Sequence, residues 1–164
     1  MPSTKIKRIR EVISDPYISL LLRLLLGGLL VFASISKLPM HSSFVEVVQS
    51  YHLLPDPLAT AYALALPWIE LLIGSYLILG ILTKPSTVIS ILVGISFMVA
   101  NISAIIRGEY YCPNCFGESF PLTASQALTV DIFIIFVAIL IMSASTRGLL
   151  GFDNWFARRW IDRK

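Results

Sequence analysis

The fold is indicated most directly by the stretch Ser125–Ser145, SQALTVDIFIIFVAILIMSAS. It holds a single charged residue, Asp131, in an otherwise uncharged and mostly apolar run. An α-helix of this length rises about 30 Å, which matches the thickness of the hydrocarbon core of a bilayer. The stretch therefore predicts a membrane-spanning helix that carries a carboxylate.

Three further stretches have the same length and character: Tyr17–Ser36, Ala61–Leu82 and Ser86–Ile106. The chain of 164 residues is 56% hydrophobic and 14% charged, whereas a soluble domain carries about 25% charged residues. The composition predicts an all-α, integral membrane four-helix transmembrane bundle whose solvent is the lipid bilayer. The four spans take up so much of the chain that we expect residues 1–164 to form one domain. The short link between the second and third spans predicts that these two helices pair.

The basic residues predict how the bundle is oriented. Lys and Arg collect on the cytoplasmic side of a membrane protein. Here they lie before the first span, between the second and third, and after the fourth, at Lys5, Lys7, Arg8, Arg10, Lys84, Arg147, Arg158, Arg159, Arg163 and Lys164. We therefore expect both termini in the cytoplasm and both long loops outside. Because these charges flank membrane spans, the net charge of +3 does not indicate a nucleic-acid partner.

Short amphipathic helices are predicted around the spans. Ser43 and Glu46 have the spacing of a capping box at the start of a helix in the first outer loop. Residues 6–13 and 152–160 have patterns typical of helices on the inner membrane surface. An apolar stripe follows the capping box at helical spacing, and it predicts a face that packs on the bundle or lies in the lipid interface: Phe44, Val47, Val48 and Tyr51.

The chain has two cysteines, Cys112 and Cys115, separated by Pro113-Asn114 in the second outer loop. Cysteines at this spacing can form and open a disulfide, which makes them a two-electron switch. Two alternatives remain: a structural disulfide that pins the loop, or a metal site, which requires further ligands. His41 and His52 are the two histidines and lie in the other outer loop, which keeps the metal alternative open.

Polar residues inside or at the ends of the spans are the second functional signal. A carboxylate such as Glu70 or Asp131 is costly in a membrane unless it has a partner. Asn101, Lys37 and Arg107 lie toward the same side as the cysteine loop, and we expect all five to converge beneath it. The cluster predicts a proton relay or a polar quinone site, or alternatively a structural cluster that fixes helix packing. A functional Glu70 predicts that Glu70→Gln abolishes turnover while folding is kept.

Several of these features together resemble the DoxX/MauE family of small four-helix membrane proteins. The resemblance extends over roughly residues 20–145 and rests on the order of the elements. These are Ser36-Lys37-Leu38, Tyr51-His52-Leu53-Leu54-Pro55, Pro67-Trp68-Ile69-Glu70 with Gly74 and Gly80, Arg107-Gly108, and Cys115-Phe116-Gly117.

The resemblance is greatest to the MauE branch, which implies a protein of the prokaryotic cytoplasmic membrane. It implies disulfide handling or maturation of an exported dehydrogenase subunit during methylamine utilisation, whereas the DoxX side implies quinone-linked sulfur oxidation. The branch commonly has Cys-Gly-Cys-Phe-Gly, and the wider spacing of Cys112 and Cys115 is more similar to a thiol oxidoreductase motif. The layout also resembles that of DsbB and vitamin K epoxide reductase, but fold alone does not fix function.

The sequence thus predicts thiol–disulfide exchange between an extracytoplasmic thioredoxin-like or Cys-containing protein and a membrane carrier such as quinone. Cys112 is expected to meet the partner and Cys115 to resolve the mixed disulfide. Glu70 and Asp131 are expected to manage protons, with support from Lys37, Asn101 and Arg107. The alternatives are a non-enzymatic accessory or scaffold subunit and a metal-binding membrane protein.

Overall fold

The computed structural model describes residues 15–108, 111–112 and 122–143. The predicted surface helices at 6–13 and 152–160, and Cys115, lie outside the described residues. The elements are α1 (Pro16–Lys37), a 3₁₀ turn (Leu38–Met40), α2 (His41–Ser50), α3 (Asp56–Leu79), α4 (Thr83–Ile106), β1 (Tyr111–Cys112), β2 (Leu122–Thr123) and α5 (Ala124–Ser143).

The four long helices α1, α3, α4 and α5 have 22, 24, 24 and 20 residues. Each is long and apolar enough to cross a membrane. The predicted fold class, an all-α membrane bundle, is confirmed, and an antiparallel pair of two-residue strands lies between α4 and α5.

Apolar side chains lie on the outside of this bundle and polar ones lie inside. Trp68 is 58% exposed and Leu92 is 61% exposed, whereas Glu70 is 1% exposed and Asn101 is 2% exposed. A water-soluble protein shows the opposite distribution. Lipid is therefore the solvent around the four long helices, and Glu70 and Asn101 find polar partners within the bundle.

Local sequence sets the ends of the helices. Asp15 precedes Pro16, and its carboxylate accepts a hydrogen bond of 3.0 Å from the backbone N–H of Tyr17, which caps α1. Gly80 has a φ of +69° and ends α3, because glycine adopts this left-handed conformation without strain. The second span therefore ends at Leu79 rather than Leu82 as the sequence indicated.

Two helix pairs provide the closest packing. A Cβ on Gly27 of α1 would lie 2.7 Å from the carbonyl oxygen of Gly74 on α3, so the two backbones touch at this point. A Cβ on Gly94 of α4 would lie 2.9 Å from a side-chain carbon of Ile135 on α5. Helices α3 and α4 are in contact as predicted, but α3 packs more extensively on α1, and α4 on α5.

Helix α2 packs on the end of the bundle. Phe44 is 4% exposed and contacts a cluster that includes Ala63, Leu66 and Val93. Gln49 also donates a hydrogen bond of 2.9 Å to the hydroxyl of Thr60 on α3. The apolar stripe thus faces the bundle, which settles the alternative that the sequence left open.

The predicted capping box is wrong. Helix α2 begins at His41, so Ser43 lies inside it and cannot be its N-cap. The physical reason is that the chain continues from α1 through the 3₁₀ turn Leu38–Met40, and this turn sets where α2 starts.

Candidate functional site

A buried ion pair joins α1 to α3. The ammonium nitrogen of Lys37, the last residue of α1, lies 2.9 Å from each carboxylate oxygen of Glu70. Both side chains are almost completely buried, at 2% and 1% exposure. The ammonium is therefore equally close to both oxygens of the carboxylate. The pairing offsets the cost of placing either charge away from water.

Two aromatic rings complete the surroundings of the Lys37 ammonium. It lies 4.3 Å from the centre of the Phe97 ring and 5.5 Å from that of Phe44. The face of an aromatic ring attracts a cation, and more strongly where water is excluded. The charge of Lys37 is therefore held between one carboxylate and two rings, on α3, α4 and α2.

A second polar pair joins α4 to α5. The side-chain amide of Asn101 donates a hydrogen bond of 2.7 Å to a carboxylate oxygen of Asp131. These side chains are 2% and 5% exposed. The bond satisfies one oxygen of a carboxylate that would otherwise be costly inside the bundle.

A small cavity lies between the two pairs. Lys37, Glu70, Asn101 and Asp131 all line it, so the structure brings four of the five predicted polar residues together. Its volume is about 20 Å³, which is enough for one water molecule. The cavity therefore has room for a water molecule between the two pairs but not for a ring-sized ligand.

The fifth residue, Arg107, lies elsewhere. It follows the last residue of α4, is exposed, and donates a hydrogen bond of 3.3 Å to the backbone carbonyl of Ser50 at the end of α2. It is not among the described residues that line the small cavity. This hydrogen bond joins the end of α2 to the end of α4.

The start of α5 is placed beside the first cysteine. Strands β1 and β2 are antiparallel, and Cys112 pairs through its backbone with Leu122. Thr123 then caps α5 reciprocally with Gln126, through hydrogen bonds of 3.0 and 3.4 Å between each backbone N–H and the other side chain. The spacing of Thr123 and Gln126 is the sequence signal that would have found this cap.

A larger cavity, which we name the α2–α4 cavity, lies beside the small one and has a volume of about 270 Å³. Sequence reasoning did not identify it, although the predicted apolar stripe of α2 forms one wall. Phe97 and Asn101 line both cavities. The other lining residues of the α2–α4 cavity are Phe44, Val47, Val48, Tyr51, Leu53, Leu54, Tyr62, Ser96, Val99 and Ala100.

The metal alternative rests on side chains that the structure does not describe. Among the described side chains, no group of three His, Cys, Asp or Glu residues is arranged to hold a metal ion. The side chains of Cys112, Cys115 and His41 lie outside that set, while His52 is described and exposed.

The described part of the chain is that of a helical membrane protein, with four helices able to span a bilayer and buried polar pairs at the end of the bundle that α2 covers. Residues 15–146 match the family model of the methylamine utilisation protein MauE. The chain therefore belongs to the MauE family, as the resemblance implied, while the DoxX side of that resemblance stays a prediction.

One curated relative supports this membership. The chain is 37% identical over 73 residues to the methylamine utilization protein MauE of Methylorubrum extorquens. The matched segment covers 44% of this chain and 39% of that protein. No solved structure matches the chain.

Proposed function

We propose that this protein is a membrane thiol–disulfide redox protein associated with methylamine utilisation, whose cysteine pair exchanges electrons between an exported protein and a membrane carrier. The association with methylamine comes from the family to which the chain belongs. The observation that carries the redox role is the backbone pairing of Cys112 with Leu122, just before the capped start of α5.

The start of a helix favours a thiolate nearby. The N–H groups of the first turn and the helix dipole give this end a partial positive charge. A thiolate is the reactive form of cysteine, and helix N-termini promote it. Cys112, whose backbone lies beside the start of α5, is therefore the cysteine that attacks the partner, and Cys115 resolves the mixed disulfide.

The electron balance requires two half-reactions. In one, two thiols of a thioredoxin-like or other Cys-containing exported protein reduce the Cys112–Cys115 disulfide and become a disulfide themselves. In the other, the two thiols of this protein are reoxidised, and a quinone takes up two electrons and two protons to become a hydroquinone. Each cycle thus moves one electron pair from partner to carrier, and the same steps run in reverse if the potentials require it.

The polar pairs supply the proton path in this proposal. Asp131 lies about 10 Å along α5 from its first residue, and Asn101 orients its carboxylate. Glu70 and Asp131 both line the small cavity, and in this proposal water in that cavity carries the proton between them. Lys37 pairs with Glu70 through both carboxylate oxygens, and Arg107 supports the outer loops.

Trapping the partner tests the proposal. In a Cys115→Ser variant, Cys112 has no resolving cysteine, so a mixed disulfide with the exported partner should accumulate and disappear on reduction. The matched control is Cys112→Ser, which should trap little or none. Thiol alkylation of the unmodified protein should show a pair that mild reductant opens.

Each alternative has its own outcome. A pair that resists mild reductant and traps no protein identifies a structural disulfide in an accessory or scaffold subunit. Stoichiometric copurified metal that is lost in Cys112→Ser identifies a metal-binding protein. Either result rejects the redox function.

A further inference from the structure

We infer that the α2–α4 cavity binds the planar ring of a membrane-soluble carrier of the quinone–hydroquinone class. This inference rests on the proposed function for the existence of such a carrier, and it adds where the ring binds and by what contacts. The site differs from the small cavity between the polar pairs, although Asn101 lines both.

The sizes of the two cavities separate them. A cavity of about 150 Å³ lined by apolar side chains is large enough to bind benzene. The α2–α4 cavity, at about 270 Å³, has room for a single ring with several substituents. The cavity between the polar pairs, at about 20 Å³, has room for a water molecule.

The walls suit an aromatic ring rather than a polar ligand. Four aromatic side chains line the cavity on three helices and the loop after α2: Phe44, Tyr51, Tyr62 and Phe97. Aromatic rings stabilise one another in offset or edge-to-face contacts beyond the effect of apolar area alone. Aliphatic residues form most of the remaining surface, as in typical sites for small apolar ligands.

The hydroxyl of Tyr62, in the wall of the cavity, distinguishes the reduced form of such a ring from the oxidised form. The hydroxyl of Ser96 donates to the backbone carbonyl of Val93 at 2.7 Å, so its oxygen accepts from the hydroxyl of Tyr62 at 2.5 Å. Both hydroxyl hydrogens are then engaged, and the Tyr62 oxygen presents an acceptor. A hydroquinone has a hydroxyl to donate to it, whereas an oxidised quinone has none.

The α2–α4 cavity lies between the surrounding membrane and the polar pairs. Val99 lines it and is 48% exposed on the outside of α4, where lipid lies, so a carrier dissolved in the bilayer reaches the rim directly. On the inner side, Asn101 lines the cavity and is hydrogen-bonded to Asp131. A ring bound here thus lies next to the pair that the proposed function uses to move protons.

Ligand titration followed by native mass spectrometry tests the inference. The probes are a decyl-substituted benzoquinone and its hydroquinone, with decanol as a chain that has no ring. The protein is the full chain with Cys112→Ser and Cys115→Ser, so that thiol chemistry does not change the probe. Both redox forms of the ring should bind, and decanol should compete poorly.

Two variants locate the site. Ala100→Phe fills the cavity and should weaken binding of both forms about tenfold or more. The matched control Ala65→Phe adds the same side chain to an exposed position on α3 and should leave binding unchanged. Tyr62→Phe should weaken hydroquinone binding about fivefold, the typical effect of one lost hydrogen bond, and leave quinone binding nearly unchanged.

Failure of this inference is distinguishable from failure of the proposed function. Equal effects of Ala100→Phe and Ala65→Phe, or decanol binding as tightly as the ring, overturn the cavity assignment even where partner trapping succeeds. If Tyr62→Phe weakens quinone binding as much as hydroquinone binding, the proposed contact between the hydroquinone and the Tyr62 hydroxyl is wrong. If Ala100→Phe removes ring binding but the trapping experiment with Cys115→Ser captures no partner, the cavity assignment is supported and the redox cycle is rejected.

Discussion

The ammonium of Lys37 lies 2.9 Å from both carboxylate oxygens of Glu70, and this contact joins the last residue of α1 to the middle of α3. The two charges neutralise each other inside a bundle whose outer surface is apolar. Neither residue can be removed without leaving the other as a buried charge. The pair therefore links the stability of the fold to any proton chemistry at Glu70.

The first prediction follows from that link. Lys37→Met and Glu70→Gln should each lower the free energy of unfolding by about 3–5 kcal/mol, because each leaves one uncompensated buried charge. The double variant Lys37→Met/Glu70→Leu should recover most of the loss. Unfolding of the purified protein by sodium dodecyl sulfate in mixed micelles measures these differences.

The control for the first prediction is Lys84→Met, which removes an exposed lysine and should change little. If the single variants unfold like the unmodified protein, the ion pair does not form. The expectation that Glu70→Gln loses turnover while folding is kept stays a prediction, and the ion pair means that stability must be measured beside turnover. Turnover should therefore be compared at equal amounts of folded protein.

The second prediction concerns the Asn101–Asp131 hydrogen bond. Asp131→Ala removes the acceptor of a buried amide and should lower the free energy of unfolding by about 1–3 kcal/mol. Asp131→Asn keeps a side-chain oxygen and should cost less than Asp131→Ala. Thr129→Ala, an exposed position on the same helix, is the control and should stay within about 0.5 kcal/mol in the same assay. A larger loss in Asp131→Asn than in Asp131→Ala contradicts the hydrogen-bonding role.

The third prediction tests the close contact of α1 and α3. Gly27→Ala places a methyl group 2.7 Å from the carbonyl oxygen of Gly74, so the helices must separate. We expect a loss of about 1–3 kcal/mol, the typical cost of overpacking. Gly28→Ala meets no atom within 4 Å and should stabilise the protein by about 0.5–1 kcal/mol through its helix preference. Thermal denaturation of the two variants in the same detergent compares neighbouring positions directly, and equal melting temperatures would refute the contact.

The fourth prediction tests the orientation. In a background with both cysteines replaced by serine, Asp56→Cys at the start of α3 should react with a membrane-impermeant maleimide added to intact cells. Lys84→Cys, beyond the other end of α3, should react only after the membrane is opened. Both positions are exposed to the surroundings of the protein. The reverse labelling pattern would place both long loops in the cytoplasm and remove the basis for an exported partner.

The sequence alone determined the number of spans, because four long apolar runs have no stable alternative to crossing the bilayer. It also determined which face of α2 is buried, since Phe44, Val47 and Val48 recur at helical spacing. It identified the residues of the polar pairs as well, because Glu70, Asn101 and Asp131 are conspicuous in otherwise apolar helices.

The tertiary structure decided which polar residue pairs with which. Lys37 bonds to Glu70 and Asn101 to Asp131, while Arg107 bonds to α2 instead. It also decided that α3 packs most closely on α1, although the short turn after α3 leads to α4. Periodicity indicates which face of α2 is buried. It does not indicate which of the long helices pack on one another. That depends on where small residues such as Gly27 and Gly74 let two backbones touch, and this contact between distant parts of the chain exists only in the assembled bundle.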